Sequence, residues 1–249
     1  MSKALPLHVI VLAAGQGTRM KSAQPKVLQR LGGRPMLGHV IDAARSLDAA
    51  GVHVVIGHGA DAVRRWADAA YETGAVQWAE QHEQLGTAHA VRQALPQIPD
   101  DAQTLILYGD VPLVSTTMLR ELVAAGAATL ALATVELAQP KGYGRVVRNA
   151  QRLVTGIVEE KDASYAQRVI REVNTGLMSA PTAQLRTWLA AVNNDNAGGE
   201  FYLTDIVAMA VAAGLEVATV AADACEVEGA NDRAQLARLE RALQQRQVT

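Results

Sequence analysis

The chain has 249 residues, a length that an α/β fold can fill as one unit. Its 23 basic and 25 acidic side chains leave a formal net charge of -2, which argues against bulk electrostatic binding to nucleic acid or an anionic membrane, so a basic site has to be local. The single Cys225 excludes an internal disulfide framework and fits a reducing cytoplasm, and the six histidines show no metal-type spacing.

The N-terminal apolar run is short and leads into a glycine loop, so it reads as a first strand and not as a signal peptide. No run of 18 apolar residues occurs, so no membrane-spanning helix is expected. Strands are predicted at 8–13, 52–57, 76–79 and 104–108, two of them nearly continuous hydrophobes, as in a parallel sheet covered on both faces. Between them, Met36, Leu37, Val40, Ile41, Ala44 and Leu47 share one helical face, and 60–69, 87–95 and 116–124 read as further helices. This alternation predicts a Rossmann-like α/β fold, a mixed and mostly parallel sheet flanked by helices, with ligands beyond the carboxyl ends of its strands. Farther on, 128–137 reads as a strand, 144–148 and 153–159 as a hairpin around 149–152, and 173–178 as a strand. A helix at 202–213 and a strand at 215–220 follow. Leu236, Leu239 and Leu243 then recur at helical spacing in what reads as an exposed helix or arm. The expected division is a main domain over 1–228 and a C-terminal helical arm over 229–249.

Leu12-Ala-Ala-Gly-Gln-Gly-Thr-Arg-Met20 closes the first strand, and Lys26 follows a proline. Small residues let backbone N–H groups approach a polyphosphate, Arg19 offers a planar fork and Lys26 a mobile point charge. The bland alternative is a tight turn with a surface lysine. Gly15-x-Gly17-x-x-Met20 lacks the third glycine of the dinucleotide fingerprint, which disfavours a dinucleotide oxidoreductase, and no P-loop pattern is present. In Gln81-His-Glu-Gln-Leu-Gly-Thr-Ala88, the Gln81 amide can both donate and accept, which suits a uracil edge, and Gly86 permits close approach. A solvated glutamine before a helix start is the alternative. The buried strand ending in Tyr108-Gly109-Asp110 would aim a carboxylate into the ligand crevice, where Mg²⁺ needs only one or two protein oxygens; the alternative for Asp110 is a turn or cap before Pro112. Asn231 is a second candidate oxygen, with an N-cap role for the last helix as its alternative. Gly142-Tyr-Gly-Arg145, Glu159 and Asn174 read on their own as a turn, a solvated strand end and a buried strand residue.

Together, LAAGxGTRM with PKxL, QxxxLGT, GYGR, GIVExKDA, NTG and VxGxNxR resemble, in order, the sugar-nucleotide pyrophosphorylases, and more narrowly the uridylyltransferase domain of bacterial bifunctional N-acetylglucosamine-1-phosphate uridylyltransferases. The resemblance spans about Val9 to Arg233. It implies UTP contacts at Leu12, Ala13, Ala14, Gly15, Lys26, Gln81, Gly86 and Thr87, with Arg19 and Lys26 as the catalytic cations on the triphosphate. It implies Mg²⁺ on Asp110 and Asn231, and N-acetylglucosamine 1-phosphate on Tyr108, Gly109, Gly144, Glu159 and Asn174. Tyr202 and Thr204, in a segment similar to EYYLTD, would also line the sugar pocket; Phe201 stands where that family usually has Tyr. The implied activity is cytoplasmic UDP-N-acetylglucosamine synthesis for peptidoglycan and lipopolysaccharide precursors. Its rivals are a related enzyme using another sugar phosphate or dTTP, and a non-catalytic nucleotide-binding module. The family continues into a left-handed β-helix acetyltransferase domain, whereas this sequence stops in the arm, so no acetyltransferase activity is expected of it. A homo-oligomer is allowed, but a trimer is expected only with the β-helix domain.

Overall fold

The computed structural model describes residues 5–20, 22 and 24–248. Strand β1 (Leu7–Leu12) shows why the apolar runs fold as they do: Val9, Ile10 and Val11 are all fully buried, Val9 and Val11 in a cluster on one side of the sheet and Ile10 in a cluster on the other. A small hairpin, β2 (Arg30–Leu31) and β3 (Arg34–Pro35), leads into α1 (Met36–Arg45), β4 (Gly51–Ile56), α2 (Ala60–Ala70), β5 (Gln77–Glu80), α3 (Thr87–Ala94) and β6 (Gln103–Tyr108). The second half contains α4 (Thr116–Ala125), β7 (Ala131–Glu136), the hairpin β8 (Arg145–Arg148) and β9 (Val154–Val158), and α5 (Tyr165–Arg168). It continues with β10 (Glu172–Pro181), α6 (Thr182–Ala191), α7 (Asp205–Ala212), β11 (Ala218–Ala221), α8 (Ala224–Val227) and α9 (Arg233–Val248).

The main path of the sheet runs β11-β7-β10-β6-β1-β4-β5, with β8 and β9 joined at its side through β10. Pairs β1–β4, β1–β6, β4–β5 and β7–β11 are parallel, while β10 runs antiparallel to both β6 and β7. The expected mixed, mostly parallel Rossmann-like sheet is therefore present. From β1 the chain moves outward to β4 and β5, then returns to β6 on the other flank of β1. The carboxyl ends of β1 and β6 thus meet at a topological switch point, the crevice where α/β sheets bind ligands.

Helices α1, α2 and α4 cover one face, through Leu37, Val40, Ile41, Val63, Leu119 and Leu122. Helices α3, α6 and α7 cover the other, through Val91, Leu185, Trp188, Leu189, Ile206 and Val207. A third cluster joins Met20, Leu31, Met36, Leu113, Ala230 and Leu239. It differs from the expected exposed arm: α9 lies on the β2–β3 hairpin, with Leu239 fully buried, Glu240 accepting the Gly32 N–H at 2.8 Å and Arg246 donating to the Leu113 carbonyl at 2.6 Å. The helix expected at 202–213 starts three residues later, because Tyr202–Thr204 form a turn. Helix α6 has no counterpart in the sequence reading; it follows β10 directly with Pro181 at its N-cap and no capping side chain.

Candidate active site

A cavity of about 330 Å³ opens at the switch point. Backbone at its floor comes from the end of β1: Leu12, Ala13, Ala14 and Gly15 line it, and Ala13 stays anchored by an N–H bond to Val55 O at 2.8 Å. The loop then turns sharply. Gly17 has φ +60°, and a Cβ there would stand 2.5 Å from Lys26 Cβ, so glycine lets the Lys26 segment cross close above the loop. Lys26 lines the cavity. Arg19 lies on the adjacent 3₁₀ turn Thr18–Met20, exposed and outside the cavity lining, so the structure does not bring it to the other candidate phosphate-binding groups.

Three segments far apart in sequence meet at one end of the cavity. The Lys26 ammonium forms an ion pair with Asp110 and donates to Asn231 Oδ1 at 2.8 Å. Asp110 sits at the turn after β6, and its carbonyl accepts the Ala230 N–H at 3.1 Å, which ties the approach to α9 onto the end of the strand. Asn231 does not cap α9. Asp232 does so, its Oδ1 accepting the Gln235 N–H at 2.8 Å, while Gln235 Oε1 accepts the Asn231 N–H at 2.6 Å. The Asn231 side-chain oxygen is therefore free of capping duty. One anionic and one neutral oxygen face a common cation, a donor set of the hard-oxygen type that Mg²⁺ selects. Among the described residues no three His, Cys, Asp or Glu side chains cluster as a metal cage.

The other end of the cavity is formed by Gln81 and by the turn into α3. Gln81 is 4% exposed, and its Nε2 donates to Gly86 O and approaches His89 Nδ1, both at 3.1 Å. Gly86 has φ +116°, and a Cβ would stand 2.5 Å from Phe201 O and 2.7 Å from Phe201 N. Its lack of a side chain lets the 200–203 segment dock: Phe201 N–H donates to Leu85 O at 2.8 Å and Ala88 N–H to Phe201 O at 2.9 Å. Thr87 Oγ1 accepts the Leu203 N–H at 3.1 Å and lies beside the Tyr108 hydroxyl. Burial, then the charges of Glu159 and Asp110, raise the Tyr108 phenol above its ordinary range and keep it neutral.

Tyr108 is also the hinge between this cavity and the second group of candidate residues. Its ring packs on Gly176, at a register shift in β10 between Asn174 and Met178. That irregularity re-aims Asn174, whose Oδ1 accepts the Gly176 N–H at 3.1 Å and whose N–H donates to Gly144 O at 2.9 Å. A Cβ on Gly144 would stand 3.1 Å from Glu159 Oε1, and Thr204 Oγ1 donates to the same oxygen at 2.9 Å. Gly144, Glu159, Asn174 and Thr204 thus converge, with Tyr108 between them and Asp110. Burial, reinforced by Asp205, Asp162 and Glu200, raises the Glu159 carboxyl above the usual range, against the opposing Thr204 hydrogen bond. Gly109 follows β6 between Tyr108 and Asp110, its N–H bound to Leu12 O at 2.9 Å. Tyr202 has its hydroxyl against Gly198, and burial, then the carboxylates of Asp162, Glu200 and Glu159, raise its phenol above the ordinary range. Arg145, fully buried, braces the turn beside Gly144: it pairs with Glu160, which also accepts the Gly142 N–H at 3.1 Å.

The structure adds cavity residues that the sequence reading left out: Gln16, Val27, Gln84, Ala90 and Glu200. Gln16, Val27, Gln84 and Glu200 fall inside the motifs above, but only the fold brings them to the cavity.

A family model described as the MobA-like NTP transferase domain matches residues 9–196. The chain belongs to this family. The MobA-like NTP transferase match covers both strands at the switch point and stops short of Asn231. Among curated proteins, the chain is 58% identical to the bifunctional protein GlmU of Aromatoleum aromaticum over 97% of its own length and 52% of that protein. It is 54% identical to the bifunctional protein GlmU of Alkalilimnicola ehrlichii over the same shares. The chain thus spans about half the length of the curated relatives it matches. In fold, this NTP transferase resembles a Bacillus anthracis protein described as a glucose-1-phosphate thymidylyltransferase and crystallised with sucrose, with a TM-score of 0.72, 16% identity and coverage of 95% and 94% of the two chains.

Proposed function

We propose that the chain transfers UMP from UTP to N-acetylglucosamine 1-phosphate, giving UDP-N-acetylglucosamine and pyrophosphate for cytoplasmic cell-wall and lipopolysaccharide precursor synthesis. The observation that carries this reading is the meeting of Lys26, Asp110 and Asn231 around one positive charge, at the end of a cavity whose far wall is Gln81 and Gly86. The GlmU relatives support the choice of nucleotide and sugar. Residues 1–228 form the transferase domain in this reading, and 229–249 an arm that contributes Asn231.

The reaction is an in-line displacement. A phosphate oxygen of the sugar phosphate attacks the α-phosphorus of UTP, the new P–O bond forms as the bond to the β-phosphate oxygen breaks, and pyrophosphate leaves with the electron pair. The attacking phosphate is already ionised at neutral pH, so the protein supplies position and charge rather than a general base. Gln81 and Gly86 hold the base, the Ala13–Gly15 backbone the phosphates, and Glu159, Asn174 and Gly144 the sugar. Asp110 and Asn231 would hold Mg²⁺, which when bound offsets charge on the phosphates of both substrates. Lys26 then moves from these two oxygens to the departing pyrophosphate; Arg19, which lies outside the cavity lining, would have to swing inward to join it.

Pyrophosphate release with a panel of sugar 1-phosphates and nucleoside triphosphates tests the reading. The expected result is turnover with UTP and N-acetylglucosamine 1-phosphate above every other pair, and a fall of about 10²–10³-fold in Lys26→Ala with the fold retained. UTP binding without turnover on any sugar phosphate would refute it.

A further inference from the structure

The Gln81 amide can face a base in two ways, since turning it over exchanges its oxygen and nitrogen. The environment chooses one. Gly86 O at 3.1 Å can only accept, so the nearby atom of the amide is the nitrogen. The second hydrogen of that NH₂ group points to His89 Nδ1, also at 3.1 Å. Both donors are then used inside the protein, and the amide oxygen is the polar atom left to face the cavity that Gln81 lines.

His89 can play this part only as a neutral ring with its proton on Nε2. Gln93 Nε2 lies 3.1 Å from that ring nitrogen and 3.0 Å from the His89 carbonyl. The two demands conflict, because one neutral imidazole cannot accept from two amide NH₂ groups. Gln81 is locked in the interior, whereas Gln93 is half-buried on the second turn of α3 and can rotate its whole side chain off the ring; turned over in place, its amide oxygen would meet the His89 carbonyl. The conflict is resolved at Gln93.

We propose that His89 is a positioning residue for base selection: it pins the Gln81 amide with its carbonyl toward the cavity, so that the site prefers a pyrimidine with an N–H at ring position 3. Uracil and thymine carry that donor; cytosine presents a lone pair there and meets the carbonyl as a second acceptor. The inference rests on the reading of Gln81 as the base-contacting residue. It predicts no discrimination between UTP and dTTP, so selection between those two lies elsewhere.

The test is kcat/KM for UTP and CTP, at saturating sugar phosphate, in wild type, His89→Ala, His89→Phe, His89→Asn and Gln81→Ala, with melting curves for each. His89→Phe keeps a ring near Phe201, whose centroid is 6.4 Å from that of His89, and so guards against loss of fold. The expected result is a fall of about tenfold in the UTP-over-CTP preference in His89→Ala and His89→Phe. It should appear as a higher KM for UTP with kcat nearly unchanged. His89→Asn, whose side-chain oxygen can accept in place of Nδ1, should keep the preference. Wild-type preference in a folded His89→Phe protein would overturn the positioning role while leaving base reading by Gln81 intact. Wild-type preference in Gln81→Ala would overturn the base-reading assignment itself.

Discussion

At the residue scale, the candidate site works by placing charges where folding alone would not keep them. Glu159 is the clearest case. Burial and three neighbouring carboxylates raise its pKa, so its ionised form is held at a cost to the folded state. The sign follows from the direction of the shift. A carboxyl whose folded pKa lies above its unfolded value costs nothing when protonated in both states. The cost grows as pH rises through the window between the two values, and it is complete above the raised one. Glu159→Gln removes this cost and keeps an oxygen for Thr204. The variant should therefore melt at a higher temperature than wild type at pH 7, with the difference vanishing below about pH 4, and it should bind N-acetylglucosamine 1-phosphate more weakly. Paired thermal melts at the two pH values check this, and a variant less stable at pH 7 would contradict it. Some of these residues could be picked out from sequence because their chemistry is unusual for their setting: Asp110 ends a buried apolar strand, and Gln81 follows one. His89 could not, since a histidine one turn into an amphipathic helix looks the same whether it orders a neighbour or fills space. Arg19 shows the opposite limit, because its place beside the glycine loop in sequence does not fix which way a 3₁₀ turn aims it.

At the element scale, the terminal helix matters most. Its leucine spacing was legible, but spacing alone could not say what the stripe packs against. The answer is the small β2–β3 hairpin and Met20 at the end of the glycine loop. Helix α9 therefore couples the phosphate-side loop to Asn231, two residues before its first turn. Leu239→Ala should cost about 2–5 kcal/mol of stability, the usual range for emptying a fully buried leucine site. Turnover should fall with it as Asn231 loses its fixed position, and urea unfolding beside pyrophosphate release would measure both. A variant destabilised by that amount yet fully active would separate the helix from the site. Helix α6 escaped the sequence reading because a strand runs into it without a turn or a cap, and the two periodicities overlap at Pro181–Thr182.

At the scale of the whole molecule, the fold class followed from the alternation of doubly buried strands with amphipathic helices. The return of the chain from β5 to β6 across β1 did not, because strand order is a long-range property that no local pattern encodes. That order creates the crevice, and Ala230 and Asn231 join its Asp110–Lys26 end from the far end of the sequence. Asp110 and Asn231 are brought together around the Lys26 ammonium by these two features acting jointly. In the proposed reaction this pair forms one cation site used with the nucleotide. Titration of Mn²⁺ by electron paramagnetic resonance, in the presence of a non-hydrolysable UTP analogue, addresses it most directly when run as a double-mutant cycle with Asp110→Asn and Asn231→Ala. Each single variant should weaken Mn²⁺ binding about tenfold or more, and the double variant should lose much less than the sum, as residues sharing one ion do. Strictly additive losses, or wild-type affinity in Asn231→Ala, would contradict the claim.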